Sequence, residues 1–223
     1  MKIKHFILLF LSIFIAFSVR AGTYEEALDA ATMGDTTTLA ALLDRGLLAD
    51  TVDAGGNTLL LLAAREGHLA TVDMLINKGA NTAALNSNGD SPLLMAALKG
   101  YLPVVERLLA AGTPINTPGW TPLIYAAFEG HLDIVDILIA RGANPDLLAP
   151  NQASALMYAA RNGHIEVVQR LLLAGADATL VNDSGRTAQS WALENGNTDI
   201  ADLISSHLAK SPAKPKSLRI SID

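Results

Sequence analysis

Apolar positions along this chain fall into short stripes of helical spacing, separated by polar segments rich in Gly, Asn and Asp. Residues 153–185 show the pattern. Leu156, Ala159 and Ala160 lie on one face of a first helix. Ile165, Val168, Leu171 and Leu172 keep the spacing of a second stripe, predicted from Ile165 to about Ala174. Ser154 stands where a hydroxyl reaches the free N–H groups of a first turn. Gly163 ends the first helix in a left-handed conformation, and Gly175 closes the second. Residues 177–185 are a polar connection with a turn signal in Asn182-Asp183-Ser184-Gly185. The unit is helix, tight turn, helix, protruding loop.

This unit recurs. Glycine falls at 34, 67, 100, 130, 163 and 196, in steps of 33, 33, 30, 33 and 33 residues. A second series, at 46, 79, 112, 142 and 175, follows 12 residues behind. The capping position reads Thr58, Ser91, Thr121, Ser154, Thr187, with Pro92 and Pro122 following where a missing N–H costs nothing. Alanine pairs recur from Ala30-Ala31 to Ala159-Ala160 and let neighbouring helices come close. A period this regular predicts an all-α solenoid of about six units: 24–56, 57–89, 90–119, 120–152, 153–185 and 186–209. The end units read as caps. Thr23-Tyr24-Glu25-Glu26 has the form of a capping box opening the first helix, and Ser205 and Ser206 give the last helix the polar outer face that a terminal repeat needs.

Ser91-Pro92-Leu93, Thr121-Pro122-Leu123, Gly67-His68, Gly130-His131, Gly163-His164 and Gly79-Ala80-Asn81 stand in register with the motifs of ankyrin repeats, and the region 24–207 resembles that family. The resemblance implies a protein-binding module whose concave side is formed by loop tips and the exposed face of each first helix. One family histidine, which ties neighbouring repeats by hydrogen bonds, is replaced here by Leu61, Leu94, Ile124, Met157 and Ser190. Aliphatic packing is expected to substitute.

The first 21 residues stand apart. Lys2 and Lys4 precede a run, 6–19, whose only polar members are Ser12 and Ser18, and Val19-Arg20-Ala21 offers small residues at the positions a signal peptidase reads. That order predicts a secretory signal over 1–21, cleaved after Ala21. The alternative is an uncleaved anchor tethering the scaffold to a membrane, for which the run is short. With the signal, the chain resembles small periplasmic ankyrin proteins of bacteria, which implies export and a role in holding, protecting or inhibiting another protein. There is no cysteine, so stability rests on packing. The formal charge of −6 becomes −9 without residues 1–21. Residues 22–209 hold 9 bases and 21 acids, while 210–223, a Lys- and Pro-rich tail expected to be flexible, holds four bases and one acid. An acidic body argues against nucleic acid, whose binding is driven by clustered Lys and Arg.

Candidate chemistry is sparse. His68, His131 and His164 each follow a turn glycine, on repeats spaced by roughly one helix diameter, about 10 Å, too far apart to share a metal whose ligands all lie about 2 Å from it. They are expected to bond local backbone. Asp133/Asp136 and Asp199/Asp202 lie at i, i+3 on solvated faces, and no G-x-S-x-G or phosphate-binding glycine motif is present. No cofactor, metal or enzymatic activity is expected; a hydrolytic enzyme would need an enclosed acid or metal site.

Binding residues are better marked. Trp120 precedes a cap; Tyr125, Tyr158 and Trp191 share one position on successive first helices; Arg65, Lys99, Phe128 and Arg161 lie just before the turn glycines. Trp120, Tyr125, Phe128 and Tyr158 cluster on neighbouring units, as a protein-binding hot spot would. The third unit is three residues short, and the loss falls in 113–119, where a notch is expected beside Trp120. The expected partner is a protein, met by a monomer that makes no membrane contact once the signal is gone.

Overall fold

The computed structural model describes residues 22–210, so the expected signal and the tail beyond Lys210 lie outside the described residues. The chain divides into two units, Met1–Ile115 and Asn116–Asp223. The first contains α1 (22–33), α2 (Thr36–Asp44), α3 (Leu59–Arg65), α4 (Leu69–Asn77), α5 (Pro92–Lys99) and α6 (Leu102–Ala110). The second contains α7 (Pro122–Glu129), α8 (Leu132–Ala140), α9 (Ala155–Asn162), α10 (Ile165–Leu173), α11 (Ala188–Glu194) and α12 (Thr198–Lys210). The described residues form no β-strand, only the isolated bridges Val52–Thr58 and Leu148–Ser154 at loop bases. The fold is all-α, and no described helix is long and apolar enough to cross a membrane.

Within each unit the helices form two rows. In the first unit α3 packs on α5, and α2, α4 and α6 pack in sequence behind them. In the second, α7, α9 and α11 make the front row and α8, α10 and α12 the back row. The predicted caps explain where the front helices begin: Thr58, Ser91, Thr121, Ser154 and Thr187 lie in extended backbone, and each hydroxyl accepts from an N–H three residues on. The alanine pairs set the spacing. Ala63, Ala64, Ala96 and Ala97 in the first unit, and Ala126, Ala127, Ala159 and Ala160 in the second, are completely buried. Ion pairs join the back row, Asp73 to Arg107 in the first unit and Asp136 to Arg170 in the second.

The replaced histidine position behaves as expected in four repeats. Leu61, Leu94, Ile124 and Met157 are buried, so aliphatic contacts stand in for hydrogen bonds. Ser190 does not follow: it is half-buried, and its Oγ accepts from Thr187 N at 3.0 Å to complete a capping box. At the first helix the described helical backbone already includes Gly22, ahead of Thr23. At the other end Ser205 and Ser206 are exposed, as a polar outer face requires, and α12 runs one residue past the expected boundary, to Lys210.

Candidate protein-binding face

Tyr125, Tyr158 and Trp191 project from the same position of α7, α9 and α11, so the 33-residue period brings their repeats' rings into one row. Tyr158 is the hub. Its ring centroid lies 5.5 Å from Trp120, 5.7 Å from Phe128 and 5.5 Å from Trp191. Trp120 also stacks on Tyr125 at 5.0 Å. Arg161, one helical turn beyond Tyr158, places its guanidinium 5.1 Å from the Trp191 ring centre. Aromatic pairs of this geometry contribute about 0.5–1.5 kcal/mol each beyond their buried area.

The five rings are not equally available. Tyr158, expected as a contact residue, is only 4% exposed because neighbours cover it on both sides. Trp120, Tyr125, Phe128 and Trp191 remain half-buried, and Arg161 is exposed. Tyr158 is thus a support, and the four outer rings with Arg161 make the accessible surface.

The loop before α9 secures that support in a way the sequence does not announce. Asn182 marks the usual pattern: its Oδ1 accepts from Ser184 N and Arg186 N in a loop closed by Gly185. In the loop 149–153, Ala149 replaces the side-chain acceptor, and Gln152 takes the glycine's place at φ 60°. Asn151 is turned to another task. Its Nδ2 donates to Tyr158 Oη at 2.9 Å, and its backbone carbonyl accepts from Asp183 N in the next loop. The signal available in the sequence is the departure itself, a loop lacking both the acidic or amide residue and the glycine.

The backbone under the rings is held by the following repeat. The Phe128 carbonyl accepts from His164 Nε2 at 2.9 Å and from Asn162 Nδ2 at 2.7 Å. A carbonyl only accepts, so the His164 proton is on Nε2. Asn197, standing where other repeats carry histidine, donates to the carbonyls of Ala160 and Arg161. In the first unit His68 Nε2 lies 2.9 Å from the Thr32 carbonyl. These histidines therefore reach the preceding repeat rather than local backbone. The reach is possible because the turn glycine has no side chain: a Cβ on Gly130 would meet the His164 ring at 2.5 Å.

Other expected features are placed differently. Arg65 and Lys99 belong to the first unit. Arg65 is half-buried and paired with Glu66 at 2.9 Å, and Lys99 is exposed in the last turn of α5. Burial pushes the nearby Asp53 carboxyl up, but the Asn57 side chain, the Asn57 and Gly55 amides and the Arg65 charge together hold it below its ordinary value. On the second unit's side of the shortened segment, Asn116 donates to the Gly142 carbonyl and accepts from Asn144 N. Trp120 is half-buried, with its ring against those of Tyr125 and Tyr158. Among the described residues no three His, Cys, Asp or Glu side chains gather where a metal could be held. Asp136 Oδ1, shielded from water, has Arg170 Nη1 2.8 Å away in ion-pair geometry.

Comparison with family models agrees with this architecture. A model of many-copy ankyrin repeats matches residues 27–76, and a model of three-copy ankyrin repeats matches 78–149 and 123–214. The chain belongs to the ankyrin-repeat family, whose repeats typically build scaffolds for protein–protein interaction. Comparison with curated proteins gives no match.

Proposed function

We propose that this chain is an exported binding protein, most simply of a bacterial periplasm, that holds a partner protein against Trp120, Tyr125, Phe128, Trp191 and Arg161 and so protects or inhibits it. The observation that carries the reading is the half-exposure of four large rings around one buried tyrosine on an immobilised backbone. Rigid aromatic side chains cost little ordering entropy on binding, and Trp, Tyr and Arg supply most hot-spot energy. Arg65 and Lys99 are candidate contacts on the first unit. Export rests on the order of charged, apolar and small residues in 1–21.

The test is affinity capture from a cell-envelope extract, with the full chain and a Trp120→Ala, Tyr125→Ala variant as baits. A protein retained by the parent and lost by the variant, with unchanged circular dichroism, is the expected result. Equal retention by both baits would move the site elsewhere. Mass spectrometry of the secreted chain should find Gly22 as the first residue; an intact terminus would leave the tethered scaffold as the correct form.

A further inference from the structure

Three residues of the aromatic face form a set suited to a cation. Tyr125, Phe128 and Glu129 stand at i, i+3 and i+4 on α7, which puts them on one side of that helix. Both rings are half-buried and Glu129 is exposed. We propose that the partner protein seats an arginine here, its guanidinium laid on the Tyr125 and Phe128 rings and paired with the Glu129 carboxylate. The proposal rests on the reading of that face as the binding surface and adds the chemistry of what it takes.

Three observations support it. The first is a precedent within the repeats. One period on from Phe128, the same register carries Arg161, whose guanidinium lies 5.1 Å from the Trp191 ring centre. A ring of this row therefore already takes a guanidinium. The second is an available carboxylate. Helices α7 and α11 both end on glutamate. Glu194 is taken by Arg186 at 2.6 Å, whereas Glu129 has no ion pair among the described residues. The third is the surrounding charge. Residues 116–209 contain ten Asp and Glu against four Arg and no Lys, a formal −6. A field of that sign draws in a basic partner and raises its association rate. The rings select arginine over lysine: a guanidinium is planar, weakly hydrated and stacks on aromatic faces, while an ammonium holds its water tightly. Arg161 also sets the place. Its charge repels a second cation at the Trp191 end of the row and leaves the α7 end for the partner.

The test titrates the full chain into the peptide acetyl-Gly-Arg-Gly-Arg-Gly carrying an uncharged dye, with fluorescence anisotropy as the readout. Versions with Lys or Glu in place of Arg are titrated beside it. The arginine peptide should bind saturably and about threefold more tightly than the lysine peptide. Phe128→Leu keeps apolar bulk and removes the π face, and should weaken binding about two- to fivefold. Glu129→Gln should weaken it about two- to fivefold as well, and Arg161→Ala, which removes a like charge, should strengthen it about twofold. Glu129 and Arg161 are exposed, so these two variants keep the fold and carry the test if Phe128→Leu alters the circular dichroism. No saturable binding, or equal binding of the arginine and lysine peptides, overturns the proposal. So does arginine-peptide binding that is indifferent to Glu129→Gln and Arg161→Ala. Preference for the glutamate peptide, lost in Arg161→Ala, also overturns it and assigns the face to an acidic partner. None of these results touches the proposed function, which fails only if parent and Trp120→Ala, Tyr125→Ala baits retain the same protein equally.

Discussion

Two glycines separate backbone preference from close approach. Gly130 and Gly175 share nearly the same conformation, at φ +80° and +85°. An added Cβ at Gly175 meets nothing within 4 Å, while at Gly130 it meets His164 Nδ1 at 2.5 Å and Cε1 at 2.7 Å. Gly175→Ala should therefore cost only the left-handed penalty, about 1 kcal/mol. Gly130→Ala carries that same penalty and must also push the imidazole off the Phe128 carbonyl. Losing that hydrogen bond costs about 1 kcal/mol, and displacing a packed ring costs about another 1 kcal/mol, giving roughly 3 kcal/mol in all. Urea unfolding followed by tryptophan fluorescence reads the second unit, where both indoles lie, and a shifted midpoint at unchanged slope reports stability alone. Repeating Gly130→Ala in a His164→Ala background should remove the excess, a coupling of about 2 kcal/mol. Equal losses for the two glycine variants, or an excess that survives without the imidazole, would refute the reasoning.

Two further outcomes are expected. Gln152→Gly should stabilise the second unit by about 0.5–1 kcal/mol, because it relieves a left-handed glutamine; the same urea midpoint checks this. Asp53 has its carboxyl held below the ordinary value of 3.8, so its charged form stabilises the fold above that value and the benefit fades as pH falls through the lower folded-state value. Asp53→Asn should accordingly be less stable than the parent at neutral pH, with the gap closing in acid, as pH-dependent urea midpoints would show.

What could be read from the sequence was local. Caps, turn glycines and alanine pairs act within a few residues of themselves, so their period disclosed the helix order and nearly all helix ends. What escaped depends on the spacing between repeats. Nothing near His164 in sequence shows that its ring spans to a carbonyl 36 residues back. The burial of Tyr158 was hidden for the same reason: it shares its register with Tyr125 and Trp191, and only the stacking of neighbours on both sides makes it a support. Asn151 was hidden because its loop breaks the pattern that gave the other loops their meaning.

The ties to preceding carbonyls all run one way along the chain. On a ribosome the Phe128 carbonyl emerges first, and His164 arrives 36 residues later. At about 5–20 residues per second, the front helix of a newly made repeat waits some seconds for the donor that completes its end. Vectorial synthesis therefore leaves one unfinished repeat at the growing boundary at any moment, and the last to be completed is the one Asn197 closes, beneath Arg161.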